Sequence, residues 1–181
     1  ICIYRLPKII RSFQTRYPEV EIYLKVLDIA DFIPLLSDHT IDLAFVLEHP
    51  VNHPQLRPEL QLEAQIGAFA VPGHPPADAA TVSAADFAGV PLILTGRDCC
   101  YRRQFEADLA KAGIPPKILL ETGSIQVVKQ MTLSGMGVCV LPQQCVQQEL
   151  DRKELINLEF HTDYRIFSQL IRHKDKWISP A

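Results

Sequence analysis

The sequence predicts an α/β protein of two lobes with a ligand cleft between them, and three observations carry that expectation. Segments with helical apolar spacing alternate with short apolar runs of strand length. The alternation stops at a proline-rich stretch and then restarts. At least two crossings join the halves, so strand ends and helix starts meet across the join, where ligands sit in open α/β folds.

The elements follow in order. Leu6, Ile9, Ile10, Phe13 and Tyr17 mark one face of a helix that Pro18 closes. Val20, Ile22, Leu24 and Val26 alternate with more polar neighbours, the period of a half-buried strand. A short helix over 31–37 and a strand over 41–47 come next, an order that suggests a parallel sheet. Leu60, Leu62, Ala64, Ile66, Ala68 and Ala70 read as one extended strand, long enough for a sheet edge or a crossing between lobes.

The stretch 71–80 holds three prolines, a glycine and three alanines and supports no regular element. Beyond it the spacing predicts a strand over 90–95, a helix over 98–112 stopped by Gly113, a strand over 117–121 and a helix over 124–134 stopped by Gly135. A buried strand over 137–141, a polar-faced helix over 142–153 and an alternating strand over 155–160 complete the second lobe, and 165–173 returns to the first. The lobes are thus residues 1–71 with about 161–181, and 72–160.

The 181 residues are 48% hydrophobic and 22% charged with a net charge of -3, ordinary globular composition without the basic footprint that binds phosphate backbones. No apolar run is long enough to span a membrane, and the first residues lack the layout of a signal peptide. The five cysteines are odd in number and form no C-x-x-C pair, which argues against zinc or a secreted disulfide framework and for a cytoplasmic setting. His49 and His53 are separated from a shared helix face by Pro50 and Pro54, and no carboxylates complete a metal site. No catalytic set with usable spacing appears, so neither an enzyme nor a cofactor is expected.

Two turns stand out as binding candidates. Thr95, Gly96, Arg97, Asp98, Cys99, Cys100 and Arg102 lie between a strand and a helix, where free amides favour anions and Arg102 offers bidentate contacts. Against this, Asp98 can simply cap the helix while Arg102 points to solvent. Gly123-Ser124 precedes Ile125 and Val128 as a helix N-cap. Gly135-Met136-Gly137 lacks the geometry of a phosphate loop and reads as a helix stop, and Cys139 on the apolar strand reads as core.

Several pieces in order resemble the effector-binding domain of LysR-type transcriptional regulators. They are Leu6-Pro7, Phe13, Tyr17-Pro18-Glu19-Val20, Ile41-Asp42-Leu43-Ala44, His74-Pro75, Gly123-Ser124, Ser134-Gly135-Met136-Gly137-Val138 and Leu141-Pro142, covering nearly the whole chain. The resemblance implies two Rossmann-like lobes of the type 2 periplasmic-binding-protein-like fold. It also implies a small-molecule effector, anionic given the helix amino termini, bound through Thr95, Gly96, Cys99, Cys100, Arg102, Gly123 and Ser124. DNA binding would belong to a helix-turn-helix domain absent from these residues. A homodimer or homotetramer is expected, with the helix near Leu6 and the helix after Ser124 as contact surfaces.

In the family a strand that supplies hydroxyls to the pocket precedes the first helix; by this resemblance the chain is expected to start inside or just before that helix, clipped at its first strand. Peroxide-sensing members carry a reactive cysteine in the stretch matching Cys99-Cys100, but the resolving thiol expected further along that helix has no counterpart in 105–112. A redox sensor and an exported solute receptor of the same fold are the alternatives.

Overall fold

The computed structural model describes residues 2–75, 81–160 and 164–177. Along the chain run α1 (Cys2–Arg16), α2 (Phe32–Ser37), β1 (Ala44–Glu48), β2 (Leu56–Ala64), β3 (Ile66–Ala70), β4 (Pro91–Leu94) and α3 (Cys100–Lys111). Then come β5 (Lys117–Glu121), α4 (Ile125–Leu133), β6 (Val138–Pro142), α5 (Gln147–Asp151), β7 (Ile156–Asn157) and β8 (Ile166–His173). The chain divides into two compact units, Ile1–Glu63 with Phe167–Ala181, and Ala64–Ile166.

In the first unit three strands lie in the order β1-β8-β2. β1 and β8 are antiparallel, with Ala44 opposite Ile171 and Glu48 opposite Phe167, so this pairing departs from the parallel sheet that the helix-strand order suggests. Phe32 and Leu36 of α2 pack with Ala44, Val46, Leu56 and Ile171 as the core. Gln169 is fully buried and every part of its amide is used: Val51 N–H donates to Oε1 at 3.0 Å, and Nε2 donates to the carbonyls of Glu48 at 3.2 Å and His49 at 2.9 Å. One side chain thereby fastens the chain leaving β1.

The alternating segment 20–26 is not a strand. It carries no strand assignment, and Val26 is 88% exposed. Alternation marks which side chains could share a face, but a strand also needs a hydrogen-bonding neighbour. Here the segment instead borders a cavity of about 590 Å³ whose lining includes Ile22, Leu24, Ile41, Leu43 and Phe45.

The single strand expected over 60–70 is two strands broken at Gln65, β2 in the first sheet and β3 in the second. The alternation does not mark burial on either side of the break: β2 is exposed along most of its length and β3 is buried from Gly67 to Ala70.

The second unit holds five strands in the order β5-β4-β6-β3-β7. β4 is parallel to both β5 and β6, whereas β3 runs antiparallel to β6 and β7. Leu92, Ile93, Leu94 and Val138 to Leu141 are at most 2% exposed, which is why β4 and β6 are continuous apolar runs without alternation. A Cβ at Gly137 would lie 2.4 Å from the Pro91 carbonyl oxygen, so glycine lets β6 start against β4. Gly113, with φ of 73°, stops α3 while Ile114 N–H donates back to the Leu109 carbonyl at 2.9 Å. Phe87, Phe105 and Phe160 meet edge to face with centroids 5.1–5.6 Å apart.

Two expectations for this unit change. The helix over 142–153 is a 3-10 turn at Gln143–Cys145, closed by Val146 N–H on the Gln143 carbonyl at 3.0 Å, followed by the short α5, while Gln143 N–H donates to the Gln65 carbonyl at 2.8 Å. The strand over 155–160 shrinks to β7 plus a bridge from Val82 to Phe160, with Glu159 at φ of 48° interrupting it. Of the irregular stretch 71–80, residues 76–80 lie outside the described residues, as do 161–163 and 178–181 of the expected returning tail. No helix among the described residues is long and apolar enough to cross a membrane.

Candidate functional site

The two candidate turns lie side by side within the second unit. β4 and β5 are adjacent and parallel, so the loop 95–99 after β4 and the turn 122–124 after β5 leave the sheet on one edge. They are tied directly, since Thr122 N–H donates to the Leu94 carbonyl at 3.1 Å. Each leads into a helix, α3 or α4, whose first amides have no partner within the helix. That edge carries helix-terminal N–H groups, hydroxyls and thiols.

Cys99, not Asp98, is the N-cap of α3, and Arg103 N–H closes the first turn on the Cys99 carbonyl at 3.0 Å. Asp98 contributes its backbone carbonyl to Arg103 Nη1 at 3.2 Å. Ser124 caps α4 as its position predicts, accepting from Val127 N–H at 3.4 Å, and its own N–H donates to Thr122 Oγ1 at 3.2 Å. Thr122 therefore orders the turn, a role the sequence reading missed. A threonine two residues before a helix start is the signal that was available.

Arg102 does not point to solvent, and its guanidinium is used inside the protein. It is 1% exposed; Nε donates to Glu106 Oε1 at 3.0 Å, Nη2 to Glu121 Oε2 at 3.0 Å, and Nη1 to the Thr95 carbonyl. Arg97, largely exposed, reaches the same Glu121 carboxylate at 3.7 Å. The hydrogen bond from Arg102, then burial opposing it, then the two positive charges set the balance that holds the Glu121 carboxyl below its usual range. Arg102, expected as a direct ligand, has its guanidinium engaged by Glu106, Glu121 and the Thr95 carbonyl. Glu106, four residues on, was a readable partner; Glu121, nineteen residues away on another strand, was not.

Cys99 is half-buried. The Cys100 thiol beside it, with the Thr95 and Tyr101 hydroxyls and the Arg102 N–H, outweighs burial and brings its pKa down from the ordinary 9.0 to about 6. Cys139 and Cys145 are buried and pushed the other way, Cys139 to about 12. Iodoacetamide labelling read by mass spectrometry is expected to modify Cys99 at pH 7.5 and to fall sharply at pH 5, with Cys139 inert throughout. A labelling rate at pH 7.5 that is only a few per cent of the rate at pH 9.5 would show an ordinary thiol, because a thiol of pKa about 9 is mostly protonated at pH 7.5. The linkage has a definite sign: the folded pKa is depressed, so this contribution to stability is present in full above pH 9 and is lost as pH falls through about 6.

Among the described residues no group of three or more His, Cys, Asp or Glu is placed to hold a metal ion. Gly96 and Gly123 have open space where a Cβ would stand, so backbone is accessible on both turns.

The whole chain, residues 1–181, matches the family model described as the LysR substrate binding domain. It is 33% identical over 180 residues to an uncharacterized HTH-type transcriptional regulator, YwqM, of Bacillus subtilis (strain 168), covering 98% of this chain and 61% of that protein. The transcriptional dual regulator GltC of the same organism is 25% identical over 177 residues, covering 97% and 59% respectively. The chain thus spans about three fifths of these relatives.

Among solved structures, the Synechocystis PCC6803 CcmR regulatory domain in complex with 2-PG superposes with a TM-score of 0.81 at 22% identity, covering 99% of this chain and 86% of that one. The effector binding domain of QuiR in complex with shikimate gives 0.75 at 18%, covering 98% and 84%. These likenesses show the fold, the type 2 periplasmic-binding-protein-like arrangement of such domains.

Proposed function

Since this chain belongs to the LysR substrate-binding domain family, we propose that it is the ligand-sensing part of a DNA-binding transcriptional regulator and that it senses a small anionic metabolite. The observation that carries the site is the pairing of the two turns at the carboxyl ends of β4 and β5, tied through Thr122 and Leu94 and each opening a helix. Thr95, Gly96, Cys99, Cys100, Gly123 and Ser124 form the binding edge. Arg102 is a positioning residue, because its donors already serve Glu106, Glu121 and Thr95.

Effector binding changes how a helix-turn-helix domain elsewhere in the protein engages its operator. The protein works in the cytoplasm as a homodimer or homotetramer and catalyses no reaction. The named relatives are transcription regulators, which favours this reading over a solute receptor. Burial raises the pKa of Cys139 and Cys145, so neither favours the thiolate that a partner thiol for Cys99 would need.

Calorimetry of the chain against a panel of small carboxylates and phosphate esters tests the site. Ser124→Ala is expected to weaken binding of any acid that the parent binds, and its melting temperature must be read alongside because the cap itself is worth about 1 kcal/mol. Unchanged affinity in both Ser124→Ala and Cys99→Val would remove these turns from the site.

A further inference from the structure

The same sheet edge holds one more polar side chain, which neither the resemblance nor the turns account for. β6 runs parallel to β4 and ends on that edge, where the chain enters the turn Gln143–Cys145. Gln143 is settled, with its N–H on the Gln65 carbonyl and its Nε2 on Gln147 Oε1 at 3.2 Å. Gln144 is different: both Nε2 and Oε1 are out of reach of solvent and neither makes a hydrogen bond. At the end of the neighbouring strand, Thr95 is 5% exposed, and its Oγ1 makes no hydrogen bond of ordinary geometry, although the Cys99 thiol and the Tyr101 hydroxyl lie near enough to feel it.

Gln169 shows what this chain does with a buried carboxamide that serves structure, since it places every donor and acceptor used. Folded proteins leave few such groups unpaired because each costs stability, so an unpaired donor–acceptor pair beside a binding edge points to a bonding partner from outside. We propose that Gln144 is a specificity-determining residue, which with Thr95 recognises an uncharged group on the effector that both donates and accepts hydrogen bonds. That group is a hydroxyl or an amide, because a carboxamide presents a donor and an acceptor side by side and carries no charge. The helix-terminal amides take the anionic end. The effector class is then a hydroxylated or amide-bearing acid. This inference rests on the binding edge proposed above.

Matched acids read by calorimetry test it: glycolate against acetate, lactate against propionate, shikimate against its deoxy analogues. The parent is expected to prefer the hydroxylated member of a pair by about tenfold, the worth of one well-made hydrogen bond in a desolvated site. Gln144→Met, close in volume and without polar atoms, should reduce that preference to about threefold or less while still binding acids, and its melting temperature should equal or exceed the parent's. Thr95→Val should act in the same direction. A Gln144→Met protein that keeps the full preference overturns the inference while leaving the anion site standing. So does one that melts several degrees lower, because the amide would then be satisfied within the fold or by buried water alone. Failure of the parent to bind any acid in the panel overturns the anion site and this inference together.

Discussion

Lys129→Met is expected to lower the free energy of unfolding by about 3–5 kcal/mol, the usual consequence of removing one partner from a buried ion pair. Lys129 Nζ on α4 stands 2.9 Å from Glu149 Oε1 on α5, and both side chains are 9% exposed. Glu149 Oε2 has no hydrogen bond of its own, so without the ammonium the carboxylate would be buried with little compensation. Replacing both residues, as Lys129→Met with Glu149→Leu, should recover most of the loss, since the remaining charge goes with its partner. Urea denaturation of the two single variants and the double variant reads this directly. A loss under about 1 kcal/mol in Lys129→Met would mean that water reaches the pair and screens it.

Arg102→Ala is expected to cost about 2–4 kcal/mol of stability, through an emptied volume in the second unit and three acceptors deprived of their donor. The Thr95 carbonyl is the acceptor that links Arg102 to the proposed binding loop, because it opens the loop leading to Cys99. Binding should weaken together with stability, as expected of a positioning residue. Arg102→Lys should restore little, since an ammonium cannot supply three acceptors from a planar fork. The discriminating measurement is thermal unfolding beside calorimetry: an Arg102→Ala protein that melts like the parent but fails to bind would return Arg102 to direct contact with the effector.

Much of the second unit was readable because its signals are local. Ser124 before Ile125 and Val128 states a helix start, and Gly113 and Gly135 state helix stops, through backbone conformations that neighbouring residues set. The apolar runs 91–94 and 138–142 announce strands buried on both faces. The two turns could be named as candidates for the same reason, since strand, turn and helix follow one another in the chain. What they are next to could not be read: the tie from Thr122 to Leu94 and the pair from Arg102 to Glu121 join residues far apart in sequence.

By itself, then, the sequence determined the α/β class, the family, most helix boundaries and the position of the two strand-to-helix turns in the chain, all of which depend on spacing and on residues within a few positions of each other. Tertiary structure alone decided whether 20–26 is a strand, where the chain passes from one sheet to the other at Gln65, and that Arg102 faces inward while the Gln144 amide is left without a partner. The physical reason is common to all four. A strand, a buried charge and a buried amide are each defined by the groups opposite them, and those groups come from distant parts of the chain.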